Sequence, residues 1–427
     1  MLGILLGLIT LMVLAYLGWS IIWVAPVAAG IVALTGGLDL LDAYTGTYMS
    51  GFVDFAQSWF PVFMLGAVFG KLMEDTGMAR SVAVALTKLI GRKRAILGVL
   101  VASAVLTYGG VSLFVVIFAV YPLALSLFRE ADISRRLLPP TVALGAFTFT
   151  MTALPGTPQI QNLIPIEYFR TSATAAPLMG IIAALVMAVG GYLYLRWREK
   201  QMTAKGERFT EPKDKSMMEK EEKAPPFMLS ILPLITVLLT LNLLGWDIVV
   251  ALLTGIVLIM LLNLTKFKKF VPAVNGGASG SVLAIINTSA AVGFGSVVRE
   301  VPGFDQLTSL LMGVRGNPLI SEAVAVNILA GSTGSASGGM GIALEALGEE
   351  YYQIAMNTGI DPEAFHRIAS LSSGGLDALP HNGAVLTLLT ITGMSHKDSY
   401  KDIFVVAVLI PILSVIVVIL LNTLGIV

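Results

Sequence analysis

The 427-residue chain contains no cysteine, so disulfides, thiolate metal sites and cysteine nucleophiles are excluded. Histidine is nearly missing as well. His366, His381 and His396 stand far apart in sequence with no ligand-like cluster around them, so neither a metal site nor a cofactor is expected. Charge is scarce, at 13% of residues, and balanced, with 27 basic and 27 acidic side chains; no global field exists to hold nucleic acid. What remains is apolar. With 56% hydrophobic residues and a mean hydropathy of +0.84, the composition predicts an all-α polytopic membrane protein and argues against a soluble enzyme.

Crossing about 30 Å of hydrocarbon takes about 20 apolar residues. Such runs extend over Leu2 to Gly18, Ile21 to Leu34, Trp59 to Gly70, Pro177 to Leu195, Met228 to Leu244, Ile248 to Leu264, Val282 to Val298 and Ile403 to Leu424. The first run lacks the basic start and cleavage pattern of a signal peptide and reads as a retained span. Four apolar stretches are interrupted by small polar residues: Ala95 to Phe128, Leu137 to Gln161, Ser321 to Leu347 and Phe365 to Thr392. The segment Arg196 to Pro226 is dense in charge, ends in Pro225-Pro226 and reads as a disordered linker between halves.

The halves resemble each other at a constant offset of 225 to 227. Leu17-Gly18-Trp19-Ser20-Ile21 falls on Leu244-Gly245-Trp246-Asp247-Ile248, Gly30-Ile31-Val32 on Gly255-Ile256-Val257, Ala153-Leu154-Pro155 on Ala378-Leu379-Pro380, and Thr107-Tyr108-Gly109-Gly110 on Ser332-Thr333-Gly334-Ser335. Basic residues collect on cytoplasmic loops. With the N-terminus outside and the first and third interrupted stretches taken as re-entrant hairpins, all but four of the 27 Lys and Arg residues fall inside, the linker included. Arg170, Arg299, Arg315 and Arg367 remain outside, among Asp39, Asp42, Asp54, Glu349, Glu350, Asp361 and Glu363. The expected arrangement is therefore two inverted-topology repeats with both termini extracytoplasmic, each repeat carrying a re-entrant hairpin and a broken helix.

Non-helical backbone at membrane depth survives only beside protein or a watery cavity, so the breaks are where chemistry is expected. The hairpin tips are Thr107-Tyr108-Gly109-Gly110-Val111-Ser112 and Ser332-Thr333-Gly334-Ser335-Ala336-Ser337-Gly338-Gly339. The helices that follow break at Ala153 to Gln159 and at Ser372 to Asn382. Free N–H groups and partial positive charge at helix N-termini suit a carboxylate without any basic side chain, and this threading leaves no Lys or Arg within a span. The expected ligand is a small organic anion held by N–H groups of the tips and the hydroxyls of Ser112, Thr157, Ser335 and Ser337, with Gln159, Asn162 and Asn382 available for substrate hydroxyls. Small residues of this kind also serve close helix packing. Asp377, near the midplane, and His381, four residues on, are the expected proton carriers; the plainer roles are a helix cap and a polar group at a broken helix end. Glu322 and Glu345, nearer the ends of their hairpin arms, read as solvated.

In Asp132-Ile133-Ser134-Arg135-Arg136-Leu137-Leu138-Pro139, in the stretch from Ala146 through Ala153-Leu154-Pro155-Gly156-Thr157-Pro158-Gln159 to Asn162, and in Ser372-Ser373-Gly374-Gly375 with Leu379-Pro380-His381-Asn382-Gly383, the chain resembles the gluconate permease family of proton symporters over nearly its whole length. The form of the motifs is most similar to the branch assigned to 3-hydroxybutyrate and similar short hydroxy acids. The resemblance implies an ion-transporter-superfamily elevator fold, a homodimer and a bacterial plasma-membrane location. It implies scaffold helices at 1–94 and 227–317, transport elements at 95–195 and 318–427, and a cytoplasmic linker at 196–226. It implies symport of a hydroxy-monocarboxylate with a proton, sodium being the alternative coupling ion.

Two rival readings come from other classes. Gly277-Ala278-Ser279-Gly280 looks like the G-x-S-G of rhomboid proteases, with His381 as base. A passive channel or uniporter would use the same cavity without coupling.

Overall fold

An apolar run can satisfy its own backbone in hydrocarbon only by becoming helical. The computed structural model, described for residues 1–91, 94–212, 225–306 and 317–427, is accordingly built of helices, with no strand among the described residues. Arg92, Lys93, Arg315 and the 213–224 part of the expected linker lie outside the described residues.

The first half runs α1 (Leu2–Tyr16), α2 (Ile21–Gly36), the long α3 (Leu40–Asp75) and α4 (Met78–Ile90), then a helical hairpin of α5 (Ala95–Tyr108) and α6 (Leu113–Glu130). After it come α7 (Leu138–Ala146), a broken stretch, α8 (Ile160–Phe169) and α9 (Pro177–Ala204). The second half runs α10 (Phe227–Asn242), α11 (Ile248–Leu262), the long α12 (Leu264–Glu300), a hairpin of α13 (Pro318–Thr333) and α14 (Ala336–Thr358), α15 (Pro362–Ser373), a second broken stretch, α16 (Gly383–Thr392) and α17 (His396–Asn422). The order recurs. Helices begin at Leu2 and Phe227, Ile21 and Ile248, Leu40 and Leu264, Ala95 and Pro318, Leu113 and Ala336, Leu138 and Pro362, Ile160 and Gly383, and Pro177 and His396, at offsets of 219 to 227. By length and composition, α3, α6, α9, α12 and α17 are long and apolar enough to cross a membrane. Leu185, Leu193, Leu239, Leu253 and Val257 stand exposed on α9, α10 and α11, as a lipid-facing surface requires.

The two long helices α3 and α12 pack along each other. Gly277 makes this possible: a Cβ there would lie 2.6 Å from Val68 Cα, against backbone that cannot move aside. Gly277 is thus a packing contact inside α12, whereas Ser279 and Gly280 are exposed.

The other elements interlock across the halves. α8 packs on α15 and on α14, while α16 packs on α6 and α7. Ser370 Oγ on α15 donates to the Thr152 carbonyl (2.8 Å), and a Cβ on Gly374 would lie 2.7 Å from Thr152 Cγ2. The residues just ahead of the two breaks therefore touch.

Three expectations need correction. The linker does not begin at Arg196, because α9 continues to Ala204. Its charges are satisfied locally: Arg198 Nε meets Asp402 Oδ1 at 2.7 Å, Tyr194 Oη donates to the same oxygen (2.6 Å), and Arg196 pairs with Glu199 one turn on. Past the helix, residues 205–212 lie along the end of α6 and the turn before α7, where Arg129 pairs with Glu211 and Arg136 with Glu207. Arg367 is not in an outer loop but wholly buried in α15. Glu322 is not solvated; it is 0% exposed on α13, and neither carboxyl oxygen has a partner among the described residues. Each was read from its distance to a helix end, whereas its exposure is set by the helices that close over that face. Glu345 is half-buried and accepts from Tyr168 Oη (3.2 Å) and Ser296 Oγ (3.3 Å).

Candidate functional site

A helix that stops inside the protein leaves unpaired N–H and C=O groups, which something must satisfy. In both halves the satisfying group is a side-chain amide at the last residue of the break. Gln159, the residue before α8, donates through Nε2 to the Thr107 carbonyl (2.7 Å) at the end of α5. Asn382, the residue before α16, donates through Nδ2 to the Gly334 carbonyl (2.9 Å) at the end of α13. Each hairpin tip is thereby latched to the broken helix of its own half.

The first latch gathers most of its expected residues. Tyr108 Oη donates to the Pro155 carbonyl (2.9 Å), and Gly110, at φ +94°, lies against Pro158. Gly109 packs on Leu234 of α10, and Ser112 precedes α6 without capping it. Thr107 and Thr157 are 1% and 0% exposed, and neither hydroxyl has a hydrogen-bond partner among the described residues. Asn162 is fully engaged: Nδ2 donates to the carbonyls of Thr157 (3.0 Å) and Ala173 (2.8 Å), and Oδ1 accepts from Arg367 Nη1 (2.9 Å).

The second latch gathers fewer. Gly334, at φ +60°, sits against His381, whose Cδ2 would be 2.7 Å from a Cβ placed there. Thr333 Oγ1 and Ser332 Oγ turn back to carbonyls of their own helix, Leu329 (3.0 Å) and Ile328 (2.6 Å). Ser335 caps α14 by accepting from Gly338 N (3.2 Å). Ser337 points elsewhere, to Thr288 Oγ1 on α12 (3.4 Å). Asp377 lies buried in the short turn Leu376–Ala378. That turn is held by Asn327 Oδ1, which accepts from Leu376 N (3.2 Å), and by Tyr400 Oη, which donates to the Ala378 carbonyl (3.2 Å).

Three buried polar residues near the first latch escaped the sequence analysis. Arg367 donates through Nε (3.1 Å) and Nη2 (2.6 Å) to the Ala175 carbonyl. His366 Nδ1 is 2.6 Å from Thr171 Oγ1. Gln161 Oε1 is buried without a partner. The available signal was the triplet Phe365-His366-Arg367 inside an otherwise small and apolar helix.

Known proteins bear on this architecture. Residues 1–246 match the family described as GntP family permease. The chain is 42% identical over 449 aligned residues to the uncharacterized transporter YxjC of Bacillus subtilis, spanning 95% of each chain. It is 31% identical over 222 residues to an uncharacterized permease of Haemophilus influenzae, which is 49% of this chain and 43% of that one. An uncharacterized transporter of the same organism is 28% identical over 176 residues, 41% of this chain and 39% of its own. A helical, lipid-facing chain with these matches is a membrane transporter and not an enzyme, and it belongs to the GntP family of permeases.

Proposed function

We propose that the protein is a secondary active transporter that carries a small hydroxy-monocarboxylate, of the 3-hydroxybutyrate or gluconate kind, together with a proton. The observation that supports this most is the pair of amide latches, Gln159 on Thr107 and Asn382 on Gly334. Equivalent positions in the two halves each bring a helix N-terminus and a hairpin tip together, and helix N-termini favour carboxylates. The recurring helix order supports reading the halves as inverted repeats. Loops rich in Lys and Arg would then lie on the cytoplasmic side and both termini outside. In an elevator cycle the hairpins with α7, α8, α15 and α16 move against α3 and α12, within a homodimer in the bacterial plasma membrane. Asp377 and His381, beside the second latch, take the coupling proton.

The test is uptake of labelled 3-hydroxybutyrate and gluconate into proteoliposomes under an imposed inward proton gradient. Accumulation above the outside concentration, abolished by a protonophore, is expected. Accumulation driven by sodium alone would replace the proton with sodium, and equilibration without accumulation would leave a uniporter.

A further inference from the structure

The two latches are chemically unlike. Asn382 accepts from Val385 N (2.9 Å) and so caps α16 itself, whereas Gln159 makes no side-chain bond to the first turn of α8. The N-terminus of the ten-residue α8 is therefore open and that of α16 is closed. Around the open one stand three buried side-chain oxygens without partners among the described residues: the hydroxyls of Thr107 and Thr157 and the amide oxygen of Gln161.

The charges differ too. The first break, Ala153 to Gln159, holds no acidic residue, while the second holds Asp377 and no Lys or Arg. Behind the first break lies Arg367, contributed by the other half. A Cβ built on Gly180 would lie 3.2 Å from Arg367 Nε, 3.1 Å from Pro155 Cγ and 2.5 Å from the Ala153 carbonyl, so guanidinium and break share one small volume. Arg367 also grips Asn162, which holds the Thr157 carbonyl. Among the described residues no carboxylate oxygen is within 4.0 Å of Arg367. Its near acidic neighbour, Glu363, is engaged with Ala176 N (2.7 Å). A buried cation whose nearest acid is engaged elsewhere is only partly compensated, and an incoming carboxylate relieves it.

We infer that the substrate's carboxylate sits at the first break only, on the α8 N-terminus and the hydroxyls of Thr107 and Thr157, with Arg367 as its counter-charge and the Gln161 amide oxygen accepting from the acid's hydroxyl. Arg367 is a positioning residue: it holds Asn162 and the break and supplies field through them. The second break is left to the coupling ion. This rests on the proposed function and divides its symmetric site into two unlike seats.

The experiment measures uptake of labelled 3-hydroxybutyrate and of gluconate in proteoliposomes, and inhibition by the uncharged 3-hydroxybutyramide, for wild type, Thr157→Val, Arg367→Lys, Arg367→Gln and Ser372→Ala. Thr157→Val raises KM for the acid on the order of tenfold, and Ser372→Ala, at the second break, leaves it within about twofold. Arg367→Gln lowers the preference for acid over amide on the order of tenfold or more, while Arg367→Lys retains most of that preference. A purely structural role for Arg367 would weaken acid and amide together and leave the ratio unchanged, overturning its part. Should Arg367→Gln fail to fold, Arg367→Lys and Thr157→Val decide. A wild type that carries neither acid refutes the proposed function and the seat with it. A wild type that does, with Thr157→Val unaltered, refutes the seat alone.

Discussion

Gly334 and Gly393 offer a controlled pair for testing whether the second hairpin tip must lie against its broken helix. Both residues are left-handed ends of helices with nearly the same backbone, φ +60°, ψ 31° and φ +61°, ψ 33°. Alanine at either costs about 1–2 kcal/mol of backbone strain. The surroundings differ. At Gly393 nothing lies within 4 Å of the new Cβ, but at Gly334 it meets His381 at 2.7 Å (Cδ2) and 2.9 Å (Nε2), with Asn382 Cα at 3.5 Å. Those contacts are inside van der Waals range, so the imidazole must shift and the Asn382 latch on the Gly334 carbonyl must stretch. Overpacking of this kind costs about 1–3 kcal/mol beyond the strain. Since 1.4 kcal/mol is a factor of about ten, Gly334→Ala should lower the population of the latched tip about ten- to a hundredfold more than Gly393→Ala. The assay is uptake in proteoliposomes under an inward proton gradient, read beside thermal unfolding of the purified protein. Gly393→Ala should lose stability with driven uptake close to wild type; Gly334→Ala, beside the second break, should lose driven uptake out of proportion to stability. Equal driven uptake by the two variants would show that contact between the second tip and its break is irrelevant to transport.

Three further outcomes follow from the same geometry. Gln159→Leu removes the donor to the Thr107 carbonyl and should cost about 1–3 kcal/mol, seen as a higher KM, since a buried carbonyl is left unpaired; an unchanged KM would dismiss the first latch. Asp377→Asn should abolish uptake driven by a proton gradient while leaving counterflow measurable, and normal accumulation would remove Asp377 from coupling. Glu322→Leu replaces an unpartnered buried carboxyl with an apolar side chain of similar size and should raise stability by about 1–3 kcal/mol in thermal unfolding; a fall would mean the carboxyl has a stabilising role in the fold.

How much of this was legible in the sequence depends on the range of the interaction that decided it. The breaks and turns were legible because Pro155, Gly334, Gly374 and Pro380 act on their own backbone, and local rules reach that far. The recurring helix order was legible because two copies of one pattern can be compared without knowing where either folds. Burial was not. Arg367 stands five residues past the start of α15, next to Glu363 and Asp361, and by that measure belongs in a loop. Glu322 stands four residues past the start of α13. Neither neighbour is local: Arg367 lies against the 152–176 segment of the other half, and Ser321, beside Glu322, has its Oγ 3.1 Å from Tyr351 Oη on α14, the other arm of the hairpin.

The same distinction explains why a symmetric site was expected while the structure offers an asymmetric one. Both halves have a tip, a break and an amide, and these recur at matched positions. What makes the breaks unlike is what each borrows from the other half. The first receives Arg367 from α15 and Asn242 from α10, which donates to the Gly156 carbonyl (2.9 Å). The second is held by Asn327 of α13 and by His396 and Tyr400 of α17, all from its own half. An anion and its coupling cation need environments of opposite sign, and a strictly repeated pair of seats would give both the same one. Cross-packing of α8 on α15 places the guanidinium of one half behind the break of the other, so, on the reading proposed above, a few buried positions are enough to make two seats unlike on matched halves.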